Sequence, residues 1–115
     1  MQTFPLGKVA VTTAGTRVPL SSFLPANFPA DHKCSRIIVS QIVGTTGAVV
    51  FGNAAVVAAT LVGAIKQFAP AAASGVTDTY THSDGGVDGN PLKVDDYAID
   101  VAVNAEGLIV SIVVR

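Results

Sequence analysis

Between Arg36 and Lys66 the chain carries no charged residue, and a run of that length is long enough to cross a bilayer as a helix. Such a run must be hidden either by lipid or by protein. It is interrupted by Gly44, Gly47, Gly52 and Gly63, carries Thr45, Thr46 and Asn53, and begins on Ile and Val. Glycines weaken a helix and β-branched residues favour strands. A single spanning helix would also leave the hydrophobic segments on either side with nothing to pack against. The run therefore reads as strands and turns, and no membrane partner is expected.

Protein must then do the hiding. Half of the 115 residues are hydrophobic and only 13% are charged, so one domain has ample material for a core but few charges to cover a free monomer's surface. Neighbouring subunits are the expected cover. The net charge is −1 and Lys and Arg do not cluster, which excludes a footprint for a phosphate backbone, so nucleic acid is not an expected partner. Cys34 is the only cysteine; it can form neither an intrachain disulfide nor a cysteine-based zinc site, and reads as a small buried hydrophobe. Met1 to Gly7 lacks the charged and long apolar regions of a secretory signal, so synthesis in a cytoplasm is expected.

Lys8 to Thr13 alternates, Ala14-Gly15 supplies a turn, and Thr16 to Leu20 resumes the extended pattern, which predicts a hairpin. Ser21 to Lys33 has the Pro, Asn and Asp content of a loop, with Phe23, Leu24 and Phe28 as anchors to the core. Ser35 to Val43 is a strand, Gly44 to Gly47 a turn and Ala48 to Phe51 the returning strand, a second predicted hairpin. Ala54 to Val62 fits a short helix or an extended segment. Ile65 to Ala69 alternates and stops at Pro70, as a short edge strand does. Residues 71–90 read as a long, low-complexity loop excursion. Strands at Leu92 to Val94, Tyr97 to Val103 and Leu108 to Val114 complete the pattern, the last two joined by the tight turn Asn104 to Gly107 as a third, closing hairpin. Seven or eight short strands suffice for an all-β, antiparallel two-sheet sandwich. The domain is expected to span 8–115, with 1–7 as an N-terminal arm.

The last strand shows no polar alternation apart from Ser111. A sandwich strand normally meets the core on one face and water on the other, so an apolar second face predicts a subunit interface at Leu108, Val110, Ile112 and Val114. The arm, with Phe4, Pro5 and Leu6, is too short for a core of its own and is expected to dock on a partner.

Three segments together resemble small virion proteins of tailed bacteriophages: Val9-Ala-Val-Thr-Thr-Ala-Gly-Thr-Arg-Val-Pro-Leu20, Cys34-Ser-Arg-Ile-Ile-Val through Thr46-Gly-Ala-Val-Val-Phe-Gly52, and Asp96-Tyr-Ala-Ile-Asp-Val-Ala-Val-Asn-Ala-Glu-Gly-Leu-Ile-Val110. Order and spacing agree over roughly two-thirds of the chain. The resemblance implies a jelly-roll type sandwich that decorates a capsid or forms part of a head or tail appendage, and implies no reaction. Residues 54–90 depart from the pattern, being longer and richer in alanine. On this basis the chain is expected to be a capsid decoration, or cement, protein on the virion surface. It would bridge subunits of the major capsid protein and, by analogy with proteins seated at three-fold positions, would be a homotrimer. The alternatives are a tail, baseplate or fibre adaptor, and a receptor- or carbohydrate-binding module using the 71–90 loop; the lack of Trp argues against the last.

No chemistry is expected beyond this. Gly44-Thr-Thr-Gly47 lacks the Gly-Lys-Ser/Thr of a phosphate loop and reads as a turn. Asp78, His82, Asp84 and Asp88 do not have EF-hand spacing and read as a solvated loop, with metal binding at Asp84 to Asn90 left open. Neither His32 nor His82 has a nucleophile elbow to serve, so no catalytic residue, cofactor or small-molecule substrate is expected. Tyr80 and Tyr97 read as packing elements.

Overall fold

The computed structural model describes residues 2–71, 77–83 and 89–115, and these form an all-β, sandwich-like fold of antiparallel sheets. Ten strands are described: β1 (Gln2–Ala10), β2 (Val18–Pro19), β3 (Lys33–Cys34), β4 (Arg36–Gln41), β5 (Val49–Asn53), β6 (Ala64–Phe68), β7 (Thr79–Ser83), β8 (Leu92–Lys93), β9 (Tyr97–Val101) and β10 (Gly107–Val114). Sheet A has the order β1-β10-β4-β7, sheet B the order β2-β9-β5-β6, and β3 and β8 form a small third sheet.

The period-2 alternation of side chains builds the core between sheets A and B. On β4, Ile37 and Val39 point inward, and they lie opposite Ile112 and Val110 of β10. From sheet B, Val49 and Phe51 of β5 face them together with Ile99 and Val101 of β9. Cys34 is fully buried in the same core, as a small hydrophobe would be.

The first strand corrects the expected arm. Residues 2–7 belong to β1 and pair with β10 from Gln2↔Val114 onward. Phe4 is buried and meets the ring of Phe28 edge-on at 4.9 Å. A register shift between Pro5 and Gly7 leaves Leu6 without a partner on β10. This bulge reverses the alternation, so that Phe4 before it and Val9 after it both reach the core. Gly7 takes φ +73° there, and Pro5, which has no N–H to donate, is accommodated because β1 is an edge strand.

The three predicted hairpins are corrected in the same way. β1 and β2, β4 and β5, and β9 and β10 are each consecutive in the chain, yet each pair is divided between sheets A and B. Their connections, 11–17, 42–48 and 102–106, are crossings between the two layers. The β6-to-β7 connection also crosses, whereas β5 and β6 pair directly as a wide hairpin. β6 is an edge strand, as its short alternating pattern and Pro70 indicated. The expected excursion at 71–90 contains β7, which completes the edge of sheet A against β4.

The crossings are bonded to one another. Val11 donates its N–H to the Glu106 carbonyl at 2.9 Å, Ala105 donates to that of Val11 at 2.8 Å, and Ala102 to that of Ala48 at 3.0 Å. The Asn104 side chain accepts from the Ala14 N–H at 2.7 Å. On the β6-to-β7 crossing, the Gln41 amide donates to the Ala69 carbonyl and accepts from the Asp78 N–H at 3.1 Å, while Thr45 Oγ1 accepts from the Ala71 N–H at 3.1 Å. One end of the sandwich is thus a hydrogen-bonded band of chain reversals.

Candidate interaction surface

Residues 54–63 form neither a helix nor a strand. They fold into turns over the outer face of sheet B, where Val56 and Ala58 pack with Val50 and Ala98 in a second, smaller core. Gly52 permits this close seating: a Cβ there would lie 2.3 Å from the Gly63 carbonyl and 2.7 Å from Val56. The turns satisfy their own backbone groups, with Leu61 donating to the Val57 carbonyl at 2.8 Å, Val57 to that of Val62 at 3.0 Å and Asn53 to that of Gly63 at 3.0 Å.

Asp100 anchors the arrangement. It is fully buried on the outer side of β9, and its two carboxylate oxygens accept the N–H of Gly15 at 3.0 Å and of Ala58 at 2.8 Å. Arg17 Nε also donates to the Ala54 carbonyl at 2.6 Å. A buried carboxylate is tolerated when backbone donors replace water, and here it ties the 11–17 and 54–63 loops to one strand.

With its inward side chains spent on Val50 and Ala98, the loop holds other apolar groups outward. Leu61 and Val62 on the loop and Ile65 at the start of edge strand β6 are 44%, 57% and 37% exposed. Val43 and Val103 are exposed on two of the crossings, and Ile109 on the outer side of β10.

The residues expected to form the subunit interface lie elsewhere. Leu108, Val110 and Ile112 are fully buried and face sheet B, and Val114 is half-buried against the same core. The outward set on β10 is Ile109, Ser111 and Val113, of which Val113 is itself buried while its carbonyl accepts from Ser35 N and Oγ at 2.8 and 3.0 Å. The strand is apolar on both faces, but the residues chosen from sequence are on the core face. Of the expected contact residues, Phe4 is in the core, Leu6 is half-buried and packed against it, and Pro5 is exposed.

Gly44 to Gly47 does bind an anion, and the anion is internal. Glu106 accepts from the N–H of Thr46 at 2.8 Å and of Gly47 at 3.1 Å. Successive backbone donors in a turn form such a cradle, and a carboxylate from the neighbouring crossing fills it. Two shallow pockets flank this end. One, of about 230 Å³, is lined by residues that include Lys8, Val43, Thr45 and Glu106, and the other, of about 280 Å³, by Ala14, Gly15, Ala59, Val101 and Ala102.

Sequence reasoning missed a cluster at the other end of β7. Tyr80 and His82 point inward and meet Phe51 and Tyr97 of sheet B. Phe51 and Tyr97 stack at 5.7 Å with 11° between planes, and His82 stands edge-on to Tyr97 at 5.1 Å and to Phe51 at 6.0 Å. Its Nε2 lies 3.2 Å from the Tyr97 hydroxyl and its Nδ1 3.4 Å from that of Tyr80. Removal from water holds the His82 pKa below its ordinary value and raises that of Tyr97, with Asp96 adding to the latter. The alternation of Tyr80 and His82 was the available signal, obscured by the polar residues between them. His32 pairs with Asp95 at 2.9 Å. Asp78 pairs with Lys66 at 2.9 Å. Asp84 and Asp88, the other half of the expected oxygen-rich group, lie outside the described residues.

Comparison of the chain with protein families, with curated proteins and with solved structures finds no match.

Proposed function

We propose that this chain is a non-catalytic structural module that packs, as a trimer, against copies of itself and against the major capsid protein of a tailed phage, decorating the shell from outside. The observation that carries this reading is the run Leu61, Val62 and Ile65, held outward on a loop whose own backbone is satisfied and whose base is pinned by Asp100. Adjacent large apolar side chains on a preformed scaffold suit a surface that a partner covers. The low charge content supports the same view, and the likeness of three segments to phage virion proteins supplies the kind of assembly. A jelly roll is the finer topology this reading adopts, and four connections that cross between sheets support it.

The surface that joins the copies is thereby moved from the core face of β10 to residues 61–65, and the trimer is the unit that seats on the shell. Imaging of the intact particle tests the reading, since a decoration protein occurs in many symmetric copies over the shell and a tail or baseplate adaptor in few. Val62→Asp is expected to lower occupancy on the shell without unfolding the protein, because the side chain is more than half exposed. Full occupancy by this variant would count against the assigned surface.

A further inference from the structure

Among the described residues, three that are not glycine take a left-handed backbone: His32 at φ +54°, Leu61 at φ +61° and Ala105 at φ +67°. A Cβ is crowded by the following carbonyl in that region, so every residue but glycine is disfavoured there. His32 gains a side-chain partner in Asp95 at 2.9 Å, and Ala105 has the smallest side chain that carries a Cβ. Leu61 has neither feature. Its side chain is large, 44% exposed, and part of neither hydrophobic core.

The backbone at this position is fixed whatever the side chain. Leu61 donates its N–H to the Val57 carbonyl at 2.8 Å, and its own carbonyl accepts from the Ala64 N–H at 3.2 Å; glycine would make both bonds equally well. Two residues on, the same loop does use glycine at a left-handed position. Gly63 has φ +71°, and a Cβ there would stand 2.3 Å from Asn53 Oδ1. The loop thus has glycine where its own packing demands it, and leucine where its own packing gains nothing from leucine. A strained residue with no compensating contact inside the chain points to a contact outside it.

We propose that Leu61 is the anchor of the contact between copies, held out by the loop to meet the same patch on a second copy around the axis of the assembly. This rests on the self-association put forward above and names the residue that carries it. A second copy is the occupant because the patch is complementary to itself. Residues 54–65 carry no charged side chain, so copies brought together about a rotation axis set no like charges against each other. The flanking cations are engaged within the chain, Arg17 with the Ala54 carbonyl at 2.6 Å and Lys66 with Asp78 at 2.9 Å. Polar side chains of the loop are also bonded internally: Thr60 Oγ1 accepts from the Val62 N–H at 3.4 Å and Asn53 Oδ1 from the Ala55 N–H at 2.8 Å. What the loop offers outward is apolar, and a leucine whose backbone is already fixed has less freedom to lose on contact.

Variants at position 61 test the anchor through two readouts that a core residue would move together and an anchor moves apart. Leu61→Gly and Leu61→Asn both suit the left-handed region. Each is expected to shift dissociation of the natural assembly, followed by light scattering on dilution, to a concentration at least ~10-fold higher. In a background made monomeric by Val62→Asp and Ile65→Asp, Leu61→Gly is expected to leave the urea midpoint unchanged or to raise it, because it relieves strain and removes no core contact. Variants that dissociate where the natural chain does, or a fall in the urea midpoint of the monomeric background, would overturn the anchor and leave the assembly reading standing. A natural chain that is monomeric at every concentration would overturn both.

Discussion

Asp100 accepts the N–H of Ala58 at 2.8 Å across the outer face of sheet B, joining an inner strand to the loop that carries the exposed apolar run. The same carboxylate holds Gly15, so a single buried side chain positions two loops that are remote in sequence.

Removing it should therefore loosen both. Asp100→Ala is expected to cost about 1–3 kcal/mol, the usual penalty for stranding donors that had a buried partner. Urea unfolding measures the loss, and hydrogen exchange should show residues 54–63 more affected than β4.

The first strand is part of the core. Phe4→Ala should cost about 3–5 kcal/mol, as large buried aromatics do, and deleting residues 2–7 should destabilise the protein further by stripping β10 of its edge partner. Thermal melts that leave either variant as stable as the natural chain would restore the free-arm reading.

Gly107 lies where β10 begins under β1. A Cβ there would sit 2.0 Å from the Val9 carbonyl, a backbone atom that cannot rotate away. Gly107→Ala is expected to destabilise by about 1–3 kcal/mol or more, and chemical denaturation checks it.

Burial pushes the Cys34 thiol up to about 11. Because the folded value exceeds the ordinary 9.0, the stability from keeping this thiol neutral is fully present below pH 9 and lost as pH rises through about 11. Cys34 should resist thiol reagents at neutral pH until the protein unfolds, and Cys34→Ala should flatten the alkaline fall in melting temperature.

Strands were legible where alternation was clean, as at Ile37 and Val39. Their pairing was not, because Gly44-Thr-Thr-Gly47 and Asn104-Ala-Glu-Gly107 specify a reversal of the chain without specifying whether the next strand joins the same sheet. Three reversals that read as hairpins are crossings between layers. In β10, apolar residues on both faces hid which parity is inward; pairing of Ile112 with Ile37 and Val110 with Val39 decides it. Residues 54–63 were ambiguous because small apolar side chains fit several backbones, and their turns are set by contacts with Val50, Ala98 and Asp100 on distant strands. The outward run at Leu61, Val62 and Ile65 follows from that seating and carries no local pattern of its own.

The mass of the full chain in solution, measured by light scattering over a range of concentrations, tests the assembly surface most directly. The natural chain is expected to form a trimer and the Val62→Asp, Ile65→Asp double variant a folded monomer. A natural chain that stays monomeric throughout, or a double variant that remains trimeric, would contradict the assignment of residues 61–65 as the surface that joins the copies.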